Sequence, residues 1–143
     1  MSPTGVAEAF ERAPVLAERV GEGGDPATII ARARDVIQKM SEAERLAVLN
    51  APPRIGATAG LSPRSAAEQS TAPADRDTIR TLELLNAEYE RAFGFRFVVF
   101  VNGRSRAEIV PVLQARLRRA RHEEVATGID EFLAIARDRL ERG

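Results

Sequence analysis

The chain is 143 residues long, with 44% hydrophobic and 29% charged residues, and its 21 basic residues equal its 21 acidic ones. This length suits one hydrophobic core, so we expect residues 1–143 to form a single domain. The zero net charge argues against nucleic acid or an acidic membrane surface as a partner. No apolar run is long enough to span a membrane and no cleavable leader is recognisable, which favours the cytoplasm.

Cysteine is absent and histidine occurs once, at His122. The composition therefore excludes disulfides, thiol nucleophiles, thiolate metal sites and clusters of imidazole ligands, and we expect no metal. His122 precedes two glutamates at a predicted helix junction. An exposed residue at a helix start is a better interpretation of it than a catalytic base.

The first third of the chain predicts short helices separated by proline and glycine. A helix over residues 4–13 is followed by one over 15–20, which a glycine-rich run ends. Asp25-Pro26 is a strong start signal, since it combines a capping carboxylate with proline at the first helical position. Two capping boxes mark later helix starts: Ser41 with Glu44, and Ser105 with Glu108.

Residues 50–60 predict a loop stiffened by Pro52 and Pro53, after which Ser62-Pro63 starts another helix. Three polar residues of that helix have the spacing i, i+3, i+4: Ser65, Glu68 and Gln69. They share one helix face and offer hydroxyl, carboxylate and amide groups to a small polar ligand. From the spacing alone, a solvated helix face is the better interpretation.

The second half predicts longer helices around one extended segment. A helix over residues 76–93 ends at Gly94, and the β-prone stretch 95–101 follows it. No other segment offers a convincing partner strand, so we expect a buried, extended connector. Helices over residues 106–120 and 123–141 complete an all-α domain of seven or eight helices, with the extended segment near Phe95-Val101.

Arginines near the end of the chain allow two interpretations. Four of them are clustered: Arg116, Arg118, Arg119 and Arg121. Acidic residues elsewhere balance this cluster and no aromatic residue is nearby, so a solvated basic face is favoured over a nucleic-acid patch. On the last helix Arg137 and Arg139 flank the apolar face, and either could turn inward to meet a carboxylate.

Several segments together resemble one enzyme family. They are Phe10-Glu11-Arg12-Ala13-Pro14, the stretch 61–69 (Leu-Ser-Pro-Arg-Ser-Ala-Ala-Glu-Gln), Leu85-Asn86 with Tyr89, the stretch 91–98 (Arg-Ala-Phe-Gly-Phe-Arg-Phe-Val), Arg116-Leu117 and the stretch 135–140 (Ile-Ala-Arg-Asp-Arg-Leu). In this order they resemble the 2-oxo-4-hydroxy-4-carboxy-5-ureidoimidazoline decarboxylases, which complete the route from urate to (S)-allantoin. The likeness covers nearly the whole chain.

The resemblance implies a carboxy-lyase that is all-helical, usually homodimeric and independent of any cofactor. Its ligand would be a ureidoimidazoline or a related small molecule. Glu68 and Gln69 would bind and orient the ring, with help from Ser65. Arg139 would pair with a substrate carboxylate, and Arg137 is the weaker candidate for that role.

One family motif is altered. The family's His-Pro-x-hydrophobic-Gly aligns with residues 52–56, Pro-Pro-Arg-Ile-Gly, so that Pro53 fits while Pro52 stands at the position of the catalytic histidine. Proline has no titratable proton and cannot do the work of histidine. Two functions therefore stay open: a decarboxylase acting through binding strain and anion stabilisation, or an inactive member that binds a purine-derived ligand or a protein partner. A nucleic-acid-binding helical domain is disfavoured by the zero net charge.

Overall fold

A computed structural model of the chain describes residues 5–55 and 76–142. These residues form seven helices and no β-strand, which confirms the predicted all-α fold. The helices are α1 (Val6–Ala9), α2 (Pro14–Val20), α3 (Pro26–Gln38), α4 (Glu42–Leu49), α5 (Arg76–Phe93), α6 (Arg106–Arg116) and α7 (Arg121–Arg142). Within the described ranges, none of these helices is both long and apolar enough to cross a membrane.

Contacts between residues divide the chain into two compact units. Of the described residues, 5–52 and 129–142 belong to the first unit, and 53–55 and 76–128 belong to the second. The first unit thus contains α1 to α4 and the last part of α7, and the second contains α5, α6 and the first part of α7. That residues 1–143 form a single domain stays a prediction.

In the first unit, capping side chains set the helix starts. The Asp25 carboxylate accepts a hydrogen bond of 2.8 Å from the backbone N–H of Thr28, and Pro26 occupies the first helical position. Ser41 and Glu44 form both bonds of a capping box at α4. Each carboxylate accepts a hydrogen bond from a backbone N–H group, and this bond lowers the pKa of Asp25 and of Glu44. The predicted starts of α3 and α4 are confirmed.

The first helix is shorter than predicted. It ends at Ala9, because Phe10 already leaves the helical conformation with φ −106° and ψ 43°, and Arg12 beyond it has a left-handed φ of 66°. The predicted capping residue Thr4 lies outside the described residues. The apolar face is nevertheless buried, and the Phe10 ring stacks on that of Phe132 with 6.0 Å between centroids. Helix α1 packs on α2, and α2 packs on α3.

In the second unit, α5 packs against α6 and presents one apolar stripe. Its buried residues recur every three or four positions: Leu82, Asn86, Tyr89 and Phe93. Residues 95–101 are neither helix nor strand, and most of them are buried, which confirms the predicted connector. The Tyr89 ring contacts the rings of Phe95 and Phe97, at centroid distances of 5.9 and 5.4 Å.

Helices α6 and α7 differ from their predicted bounds. The capping box of Ser105 and Glu108 starts α6 as predicted, but the helix ends at Arg116 and not at residue 120. Helix α7 begins two residues before its predicted start and continues to Arg142. His122 lies exposed in its first turn, in agreement with its interpretation as a helix-start residue.

Candidate functional site

The predicted polar helix face cannot be placed. Ser65, Glu68 and Gln69 lie outside the described residues, as does the glycine of the altered family motif. Their shared face and their roles stay predictions. The remaining candidates are Pro52, Pro53 and the two arginines of the last helix.

Pro52 follows directly on the end of α4. Asn50 caps that helix by donating its backbone N–H to the carbonyl of Leu46 at 2.9 Å, and Ala51 is buried. Pro52 itself is half-buried, and it is the last residue of the N-terminal stretch of the first unit. Its ring offers a ligand only carbon atoms and a fixed backbone, so this position supplies shape and no acid or base.

Residues 53–55 begin the second unit and are tied to α5. Arg54 makes a two-pronged ion pair with Glu90, from Nε to Oε2 at 2.6 Å and from Nη2 to Oε1 at 2.8 Å. The Asn86 side-chain amide donates to the carbonyl of Ile55 at 2.9 Å. The hydrogen bonds from Arg54 lower the pKa of the Glu90 carboxyl. The segment that follows Pro53 is therefore held from two points of one helix.

The structure distinguishes the two arginines of α7. Arg137 is exposed and pairs with Glu141 one turn later, at 2.6 Å. Arg139 is only 5% exposed. Its Nη2 lies 3.4 Å from Oε1 of Glu11, and its Nη1 lies 3.5 Å from the Ala9 carbonyl oxygen. Arg139 is thus the one that turns inward, while its role as a substrate ligand stays a prediction.

A buried charge cluster was missed by the sequence interpretation. Arg116 does not belong to a solvated basic face, since it is 6% exposed. Its Nε donates to Oε1 of Glu124 at 2.8 Å, its Nη1 donates to the Val98 carbonyl, and its guanidinium stacks over Phe97 at 4.5 Å. The other three arginines of that group are exposed as predicted.

Glu124 is the centre of this cluster. It is fully buried, and its Oε1 also accepts from the Tyr89 hydroxyl at 2.7 Å, while Oε2 accepts from Arg119 at 3.0 Å. Burial, aided by the hydrogen bond to Glu124, raises the pKa of Tyr89. Tyr89 therefore stays a neutral donor throughout the physiological pH range.

One signal in the sequence indicates this burial. Ile109, Leu113 and Arg116 have the spacing i, i+4, i+7, so Arg116 continues the apolar face of α6. An arginine on such a face needs a buried partner. Nothing in the spacing identifies Glu124, which lies on the next helix. No cluster of three or more metal-ligating side chains occurs among residues 5–55 and 76–142.

Comparison with known proteins decides the family. Residues 4–141 match the sequence model of OHCU decarboxylase, where OHCU is 2-oxo-4-hydroxy-4-carboxy-5-ureidoimidazoline. The chain belongs to the OHCU decarboxylase family. The match covers both units of this family member, so the resemblance seen in its motifs is confirmed.

Individual relatives agree with this membership. A protein of Haloferax volcanii named OHCU decarboxylase is 29% identical over 140 residues, which cover 93% of this chain and 83% of the relative. A protein of the same name from Halalkalicoccus jeotgali is 28% identical over 142 residues, covering 95% and 81%. A crystal structure of an OHCU decarboxylase in the presence of (S)-allantoin superposes with a TM-score of 0.77 at 24% identity, covering 91% of this chain and 90% of that one. That likeness supports the fold.

Proposed function

We propose that the protein is a decarboxylase that converts 2-oxo-4-hydroxy-4-carboxy-5-ureidoimidazoline to (S)-allantoin in urate degradation. Family membership over residues 4–141 supports this assignment, and so do relatives of that name aligned over more than 80% of their own length. The observation in the molecule that carries it is Arg139, a buried cation of the first unit that can hold a carboxylate.

The reaction breaks the bond between a ring carbon and the substrate carboxylate. Carbon dioxide leaves, the electron pair enters the conjugated ring system, and a proton is then added to one face of the ring. The protein must hold the carboxylate out of the ring plane and stabilise the negative charge that develops. By the family resemblance, Arg139 is expected to bind the carboxylate, and the roles expected of Glu68, Gln69 and Ser65 toward the ring stay predictions.

Pro52 limits how this chemistry can be catalysed. A general acid or base contributes about 10² to 10⁴-fold in rate, and proline supplies neither. The acceleration would come from orientation and anion stabilisation, with water as the proton source. Pro53 keeps the backbone restricted at this point. We therefore expect Pro52→His to raise the rate by about a hundredfold or more, since it restores a titratable group.

Optical activity tests the proposal directly. The unstable substrate is generated from urate in situ, and circular dichroism follows the allantoin formed, because spontaneous decay produces a racemate. The protein should produce an excess of (S)-allantoin above that background. Absence of an excess for the wild type would refute the proposal, and an excess from Pro52→His alone would show that only the missing histidine prevents the reaction.

A matched pair of variants tests the arginine assignment. Lysine keeps the positive charge but lacks the two-pronged donor geometry of arginine. Arg139→Lys should lose most of the activity, whereas Arg137→Lys should retain it, because Arg137 is exposed and paired with Glu141. The opposite result would assign the carboxylate to Arg137.

The loss of the catalytic histidine at Pro52 is the one observation that favours a second candidate function. In this case the protein would be an inactive family member that binds a purine-derived ligand or a protein partner. Such a protein would bind (S)-allantoin in calorimetry without producing it. We also propose a homodimer, which is the habit of the family, in the cytoplasm and, given the zero net charge, without a nucleic-acid partner. Light scattering on the purified chain would measure the oligomeric state.

A further inference from the structure

The guanidinium of Arg139 is held by the end of α1 and the turn that follows it. Its two terminal nitrogens contact the carbonyl oxygen of Ala9, the last residue of α1, at 3.5 Å and Oε1 of Glu11 in the turn at 3.4 Å. The Arg139 side chain is 7% exposed and that of Glu11 is 25% exposed. A buried guanidinium requires a counter-charge, and Glu11 supplies one from within the same unit.

The turn that carries Glu11 is built against the first unit's interior. Phe10, the residue before Glu11, stacks on Phe132 of α7, on the same helix as Arg139. Arg12, the residue after it, has a left-handed φ of 66°, which is unfavourable for a side chain larger than glycine. The backbone on both sides of Glu11 is thus constrained, which fixes the point from which its side chain leaves the main chain.

The contacts of Arg139 with Ala9 and Glu11 lie at the long end of the hydrogen-bond range. A ligand carboxylate that meets the two-pronged face of a guanidinium typically approaches to about 2.7–2.9 Å, which gives stronger bonds. The contacts to Glu11 and Ala9 are therefore longer and weaker than a two-pronged pair between a guanidinium and a carboxylate.

We propose that Glu11 is a positioning residue that holds Arg139 in the orientation in which it receives the carboxylate of the substrate. This rests on the proposed decarboxylase function. Glu11 acts through Arg139 and does not itself take part in bond breaking. We therefore expect removal of the Glu11 side chain to raise KM more than it lowers kcat.

The test measures kcat and KM for Glu11→Ala, from initial rates of (S)-allantoin formation at varied substrate concentration. We expect KM to rise about tenfold and kcat to change by less than about threefold. The variant loses one charge-assisted hydrogen bond that orients Arg139 for substrate binding. Glu11→Gln should stay within about threefold of the wild-type KM, since its amide oxygen still accepts from Arg139. The control is Glu8→Ala, an exposed residue of α1 that should leave both constants unchanged.

If Glu11→Ala does not fold, Glu11→Asp replaces it. The shorter side chain keeps the charge but withdraws the carboxylate from Arg139, so KM should still rise. An active wild type whose KM is unchanged or lowered in the folded Glu11 variants would overturn this inference alone. A wild type that forms no excess (S)-allantoin would overturn the proposed function and this role of Glu11 with it.

Discussion

Glu124→Gln tests whether the buried cluster of the second unit depends on charge. The wild-type carboxylate is fully buried and accepts from Tyr89, Arg116 and Arg119 at 2.7, 2.8 and 3.0 Å. Glutamine has nearly the same shape, so no cavity forms. It turns one acceptor atom into a donor and leaves the Arg116 guanidinium, 6% exposed, without a counter-charge.

The expected cost can be worked from this geometry. At an effective dielectric constant of about 20, unit charges about 4 Å apart attract each other by about 4 kcal/mol. Breaking a buried pair by neutralising one partner costs about 3–5 kcal/mol in measured cases. We therefore expect Glu124→Gln to lower the free energy of unfolding by about 4 kcal/mol, a large part of the roughly 5–15 kcal/mol of a typical domain.

Urea unfolding followed by far-ultraviolet circular dichroism measures this cost. The matched control is Glu123→Gln, the same exchange at the neighbouring exposed residue. Its amide oxygen can still accept from the Ala120 backbone N–H, so the unfolding midpoint should hardly move. The double variant Arg116→Met with Glu124→Gln should be more stable than the sum of the two single losses indicates, because it leaves no unpaired charge. A loss below about 1 kcal/mol for Glu124→Gln, or strict additivity in the double variant, would refute the reasoning.

Two further predictions concern Tyr89 and the turn after the connector. Tyr89 is the single tyrosine and tryptophan is absent, so near-ultraviolet absorbance of tyrosinate reports its titration alone. The fold raises the pKa of Tyr89, so above the ordinary tyrosine pKa of about 10 the unfolded chain ionises while the folded protein does not. The free energy of unfolding should therefore be unaffected below about pH 10 and should fall above it, by up to about 1.4 kcal/mol per pH unit. A folded protein whose tyrosine titrates at its ordinary value would contradict this. Asn102 has a left-handed φ of 49°, so Asn102→Ala should cost about 1 kcal/mol in thermal unfolding and Asn102→Gly close to nothing; equal effects would exclude backbone strain as the cause.

Helix starts in this chain could be predicted because their causes are local. The cap at Asp25 and the boxes at Ser41 and Ser105 each depend on atoms no more than three residues apart. The connector after α5 could be predicted as well, since its phenylalanines and valines require burial and no partner strand exists among the described residues. The end of α1 could not be predicted. The turn that follows it has a left-handed residue at Arg12, and no glycine in the sequence indicates a left-handed conformation there.

The candidate site could be predicted only in part. The family motifs favoured Arg139 over Arg137, although the helix face by itself did not separate them. The buried partner of Arg139 could not be predicted, because Glu11 is 128 positions away along the chain. The polar face of Ser65, Glu68 and Gln69 stays a prediction.

By itself, the sequence determined the helical class, the capped helix starts at Asp25, Ser41 and Ser105, and the family, and it showed that Pro52 brings no acid or base. These properties follow from composition, from short-range hydrogen bonding and from the order of motifs. The tertiary structure decided which arginines are buried and what neutralises them, namely Glu124 for Arg116 and Glu11 for Arg139. The physical reason is that a buried charge is stabilised by whichever opposite charge the fold brings near, and distance along the chain does not encode that partner.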